Sequence, residues 1–268
     1  MLPGVFIWYQ IALMKILKYS SPILFILFIV TLLVPISAWA GPPFRTDDPE
    51  PVEYHHWEIY TFSQATHIKG DTAGVLPGLD MNYGLIPEAH FHVTTPFMFD
   101  KADGSDTQSG YGDTEIGMKC RLIKEEENGW RPQIAIYPAV DLPTGDKDKG
   151  FSTGREREFL PVWLQKSFGV WTTYGGGGYW INPGEGNKDY WFFGWTLVRK
   201  VNDKLRLGGE IFYLTADAVE GISSSGCNLG VTYDLTENHH LLFSAGRGIQ
   251  HVATTNEFSY YVAYQLTF

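Results

Sequence analysis

The sequence predicts an all-β protein: a transmembrane, antiparallel, up-and-down β-barrel of about twelve strands behind a cleaved signal peptide. Three observations predict it. Apolar and polar residues alternate at period two from about residue 54 to the last residue. The connections between these runs are short and long by turns, as in barrels that cross an outer membrane. One alternating set is nearly free of charge and rich in aromatics, which lipid requires and water does not.

Residues 1–40 come first. Their only charges are Lys15 and Lys18, and Met14 directly before them is an alternative start. An apolar run from Ile23 to Val34 follows, Pro35 breaks it, and Ala38-Trp39-Ala40 ends it. A basic start, a short apolar core and an A-x-A end describe a secretory signal peptide, cut between Ala40 and Gly41. Gly41 is not Cys, so no lipid anchor is expected. Residues 41–53 form a proline-rich segment, expected on the periplasmic side. Proline cannot pair in a sheet centre, and Arg45, Asp47 and Asp48 could instead fold back into the lumen.

Residues 54–268 then form the barrel. Strands are expected near 54–65, 75–84, 89–99, 111–125, 131–143, 158–168, 170–182, 189–200, 205–216, 225–235, 240–250 and 257–268. Short turns fall at 84–88, 126–130, 168–169, 201–204 and 236–239. Longer loops fall at 66–72, 100–110, 144–157, 183–188, 217–224 and 251–256. An even strand number brings both termini to the periplasmic end. A soluble sandwich would share the alternation, but its exterior would be charged. Here the apolar set carries Trp57, Tyr83, Phe97, Phe99, Trp191, Trp195 and Tyr233 near strand ends, as interfacial girdles do. Its charges, Lys166 and Arg247, also fall near strand ends, where a long stem can reach the interface. The last strand alternates Tyr264, Leu266 and Phe268, a terminal aromatic pattern of the kind the barrel assembly machinery reads. Lipids and lipopolysaccharide are the other expected partners.

The opposite alternating set should line the lumen. It contains Asp80, His90, His92, Glu115, Lys119, Arg121, Asp141, Arg206 and Glu210, together with His56, Glu58, Asn82, Asp113 and Asp234. Twelve strands enclose a backbone radius of roughly 12 Å, so the bore is narrow. Two readings of this set stand: a solvated pathway that selects small solutes, or a lumen closed by ion pairs.

Composition excludes other functions. The 268 residues carry 20 Lys+Arg against 30 Asp+Glu, an acidic balance unsuited to nucleic acid. Cys120 and Cys227 are the only cysteines. They fall on nearly opposite strands, so neither a disulfide nor a zinc site is expected. His90 and His92 stand about 7 Å apart on one face, but hydrogen-bonding is the commoner role, and no metal or cofactor is expected. Gly175–Gly178 lacks the Lys-Ser/Thr of a phosphate loop and reads as a place where a neighbour comes close. No enzyme is expected either. Ser63 and His67 share a face on strand one but lie about 13 Å apart.

Four segments carry a family resemblance. They are residues 41–58, Asn82-Tyr83-Gly84-Leu85-Ile86-Pro87-Glu88, Gly110-Tyr111-Gly112-Asp113-Thr114-Glu115-Ile116-Gly117, and Tyr137-Pro138-Ala139-Val140-Asp141-Leu142-Pro143-Thr144-Gly145. Over 41–268 the chain resembles the outer-membrane family named for the meta-pathway of phenol degradation, whose members are often labelled transporters. The resemblance implies a barrel in a Gram-negative outer membrane that passes small aromatic or apolar compounds. The alternatives are a structural or surface-contact barrel with a plugged lumen and, further off, a lipid-modifying enzyme.

Overall fold

A computed structural model describes residues 42–126 and 129–268. The expected signal peptide and its cleavage positions, Ala38, Ala40 and Gly41, lie outside the described residues. No described helix is long and apolar enough to cross a membrane. The chain is built from strands: β1 (Trp57–Ile68), β2 (Asp71–Ile86), β3 (Ala89–Ala102), β4 (Gln108–Tyr111), β5 (Thr114–Ile123), β6 (Gln133–Ile136), β7 (Ala139–Leu142), β8 (Arg157–Phe168), β9 (Trp171–Ile181), β10 (Tyr190–Lys200), β11 (Leu205–Leu214), β12 (Ser224–Asp234), β13 (His239–Gln250) and β14 (Phe258–Thr267). One helical turn, α1 (Val252–Thr255), precedes β14.

Neighbouring strands pair antiparallel, and β14 closes on β1 from Glu58↔Thr267 to His67↔Phe258. Both β4 and β5 pair with β3, and both β6 and β7 pair with β8. Each couple is one spanning strand with a break, so the closed barrel has the expected twelve. Sequence periodicity suggested unbroken strands at 111–125 and 131–143. The breaks fall at Gly112-Asp113 and Tyr137-Pro138, and at the second the proline has no N–H for the ladder. The surrounding backbone stays satisfied: Gly112 N–H donates to Pro96 O at 2.9 Å, and Met118 N–H to Pro138 O at 3.1 Å.

One connection differs from expectation. Residues 66–72 are not a loop, since β1 and β2 turn tightly at Lys69-Gly70, where Gly70 takes φ 88°. Pro77 looks like a strand breaker but sits in a bulge between Val75 and Gly78. The short turn expected at 126–130 is closed by Glu126 N–H donating to Arg131 O at 3.1 Å.

The alternation resolves as the lipid reading requires. Leu160, Val162, Phe193, Leu197, Ile211, Leu229, Leu241, Phe243, Ile249 and Val262 point outward and are exposed, up to 76% for Leu229. Burying such a surface in lipid is favourable, whereas in water it would be an aggregation surface. Trp57 and Tyr233 lie at the end holding the termini, Trp191 and Phe258 at the other. Trp195, expected near a strand end, is mid-strand, and its indole N–H donates to Thr173 Oγ1 at 2.8 Å. Lys166 faces outward near a strand end and pairs with Glu125 at 2.9 Å. Arg199, also near a strand end, lies 5.4 Å from the Trp171 ring.

Candidate functional site: a strap through the lumen

The segment before β1 decides what the lumen can do. Pro42, Pro43, Pro49 and Pro51 keep it out of the sheet. It leaves the terminal rim where Tyr54 bridges Gly84 and His55 N–H donates to Gly84 O at 2.8 Å. It then runs inside the barrel, where Phe44, Arg45, Thr46 and Asp47 are buried. The proline-rich segment thus takes the second of its two expected courses, folding back into the lumen as an internal strap.

A bare groove on one wall receives it. Gly208 and Gly230 face each other across β11 and β12. A Cβ on either would stand 2.9 or 2.7 Å from the Phe44 ring, and one on Gly194 would stand 2.0 Å from Thr46 Oγ1. Only glycine lets the strap lie this close to the wall. Glu210, in the middle of the groove, accepts hydrogen bonds from Arg45 N–H (2.9 Å), Thr46 N–H (2.9 Å), the Thr46 hydroxyl (2.8 Å) and Asn228 (2.6 Å). The Ser244 hydroxyl donates to Pro43 O, and the Arg45 guanidinium lies 4.5 Å from the Phe212 ring.

The opposite wall holds the other side of the strap. Lys119 on β5 donates to Asp47 at 2.9 Å and lies 3.7 Å from Asp48. Arg121 contacts Glu50 at 2.5 Å and Glu88 at 2.7 Å. Gln133 donates to Glu50 at 2.6 Å, and Val52 N–H donates to His90 Nδ1 at 2.9 Å. Hydrogen bonds from Lys124 and Arg121 hold the exposed Glu88 carboxyl, in the turn after β2, below the usual carboxylate range.

The remaining expected lumen residues form separate contacts. His92 stands between Asp80 (3.2 Å) and Glu115 (2.9 Å), with Asn82 at 3.0 Å. Asp141 pairs with Arg157 at 2.5 Å. Arg206 is at the terminal mouth, half exposed, 2.8 Å from Asp234, which also meets His240 at 2.7 Å. Of the residues grouped as one pathway, His90, Lys119, Arg121 and Glu210 meet around the strap. Asp80, His92, Glu115, Asp141 and Arg206 pair with wall residues. His56 is exposed rather than luminal and lies beside Glu53 at 3.9 Å. Cys120 and Cys227 are separate free thiols. Glu50, Phe44 and the three groove glycines were not singled out from sequence. The signal for them was three inward-facing glycines on consecutive strands.

Beyond the strap, toward the loop end, the lumen is rich in aromatic side chains, with the Asp141–Arg157 pair buried among them and Arg157 5.3 Å from the Trp180 ring. Phe159, Trp163, Trp180, Tyr190, Phe192 and Phe212 pack on one side, and Phe62, Val75, Met98 and Tyr261 on the other. Phe159, Trp180 and Tyr190 stack with centroids 4.6 and 5.9 Å apart. Gly178 leaves room for the Phe159 ring, as the glycine run suggested. The 143–156 loop folds inward and adds Phe151 to the second cluster. Toward the termini a cavity of about 490 Å³ opens, lined by Glu50, Arg121, Lys124, Glu125, Gln133 and Gln165 among others. Ser63 and His67 bond elsewhere, to Tyr260 at 3.3 Å and Thr72 at 2.8 Å.

Comparison with solved structures finds the same architecture. The chain is similar to the COG4313 outer membrane channel from Pseudomonas putida F1, at 15% identity and TM-score 0.64, over 82% of this chain and 97% of that one. It is also similar to the NanC porin (7% identity, TM-score 0.52, covering 78% and 98%) and the KdgM porin (9%, 0.50, 80% and 99%). These likenesses establish the fold of an outer-membrane barrel. No curated protein matches the sequence. The family described as "Putative MetA-pathway of phenol degradation" matches residues 58–266, almost the whole barrel, and the chain belongs to that family.

Proposed function

We propose that this barrel is a channel for small solutes across the outer membrane, and that the N-terminal strap limits conduction. One observation carries the reading: the lumen is crossed by a chain segment held largely through hydrogen bonds and ion pairs, which water can replace, with Phe44 as its one buried apolar anchor. Among the described residues, Gln64 Oε1, Trp163 Nε1 and His90 Nε2 are buried without a hydrogen-bond partner from the protein. The family name and the aromatic loop-end wall support small aromatic or apolar compounds as cargo.

Ser63 and His67, the pair a hydrolase reading would use, bond Tyr260 and Thr72 rather than each other, which supports the channel reading. A plugged structural barrel is the second reading, favoured by the strap itself. Planar-bilayer recordings of the chain lacking residues 42–50 separate the two. A channel gains a large, steady conductance. A structural barrel, still sealed by its aromatic half, stays closed.

Assembly in the outer membrane is expected to depend on the last strand, where Tyr264 and Phe268 face outward. Deleting Phe268 should lower outer-membrane yield while cytoplasmic synthesis is unchanged. Normal yield and heat-modifiable gel mobility would refute that dependence.

A further inference from the structure

The luminal cations divide into two kinds. Arg157 and Arg206 are neutralised by wall residues, Asp141 and Asp234. Lys119 is neutralised by Asp47 of the strap, and Arg121 by Glu50 of the strap together with Glu88. Glu210 is the converse. Apart from Asn228, its hydrogen-bond donors are Arg45 and Thr46 of the strap. In the sheet order β5 and β11 lie nearly opposite each other around the barrel. The strap therefore bridges a basic wall and an acidic wall, with carboxylates on one side and donors on the other.

We propose that the strap stands in for the solute. On this view Lys119 with Arg121, and Glu210 opposite them, form a binding site for a small molecule with a carboxylate at one end and a hydrogen-bond donor at the other. The proposal rests on the channel reading and names its solute class. Dimensions support it. The Thr46 donor and the Asp47 carboxylate are on adjacent residues, so the two groups are roughly 5–7 Å apart. A benzene ring with a carboxylate and a hydroxyl in para positions has the same reach. Flat apolar surfaces flank both ends: the Tyr137 ring lies 5.2 Å from the Lys119 ammonium, and the Phe212 ring lies beside the strap near Glu210. A charged hydrogen bond at each end then gives orientation as well as affinity.

The test uses proteoliposomes holding the full mature chain with Asp47→Asn and Glu50→Gln, which weaken the strap and leave the wall intact. The probes are para-hydroxybenzoate, benzoate (no donor) and para-hydroxybenzyl alcohol (no carboxylate). Para-hydroxybenzoate should enter about tenfold faster than either analogue, the worth of one charge-assisted hydrogen bond. Adding Lys119→Met should reduce its rate to that of the alcohol, and adding Glu210→Gln to that of benzoate. Lys119→Arg, which keeps the charge, should retain the preference and guards against a folding defect in Lys119→Met. Equal entry of the three probes, or a preference that survives both wall substitutions, overturns the proposal and leaves the channel reading standing. If the chain lacking residues 42–50 passes no solute at all, the channel reading fails and this proposal with it.

Discussion

The two halves of the lumen are built by different chemistry. Toward the loops wall side chains pack in two clusters, Phe159, Trp163, Trp180 and Tyr190 in one and Phe62, Met98 and Phe151 in the other. Toward the termini a separate stretch of chain crosses the lumen, held by Glu210, Lys119, Arg121 and His90. An apolar cluster is stabilised by excluding water, so disturbing it costs burial with nothing offered in return. A polar seal loses little when water or another polar molecule takes its place, because each partner is solvated again. A barrel that must hold together and still let something pass has reason to place rigidity in the first half and exchange in the second.

That contrast breaks if the aromatic half proves dispensable. Trp163 is fully buried, with Phe159 and Phe192 edge-on at 6.5 and 6.2 Å. Trp163→Ala should cost about 3–5 kcal/mol, seen as a lower unfolding midpoint in detergent. A loss under 1 kcal/mol would mean that these rings pack loosely and that the aromatic half is no firmer than the strap.

A smaller effect sharpens the contrast from the other side. Gly194→Val places a side chain where Thr46 Oγ1 lies and should expel the strap from its groove. Proteolysis near Asp47 should become fast while heat-modifiable mobility, which reports the barrel, is unchanged. A strap that stays protected would show that the groove is deformable and that the wall, not the strap, yields.

The barrel was legible in the sequence because its rule is local. Each inward or outward choice is set by the neighbours one and two residues away, and Leu205–Leu214 or Phe258–Thr267 displays it in ten residues. The breaks were less legible. Pro138 sits in a run whose alternation is otherwise intact, and only its missing N–H interrupts the ladder. The strap was least legible, since its contacts join positions far apart, Arg45 to Glu210 across 165 residues and Lys119 to Asp47 across 72. The carboxylates and cations were visible as types. Which of them would meet depended on the strap's path, and a proline-rich segment follows no period.

The strap's short connection to β1 has a consequence for flux. Glu50 is attached to the wall only a few residues before Trp57 enters the sheet and its N–H bonds Phe268 O at 2.7 Å. A ligand tethered so briefly is present at its own site at an effective concentration in the millimolar range or above. A solute that takes the strap's place, as proposed above, has to compete with that, so its apparent affinity is low even where each contact is strong. Competition of this kind slows capture and leaves the rate of departure unchanged. On that proposal the tether acts as a built-in competitor that sets the concentration at which the passage begins to fill.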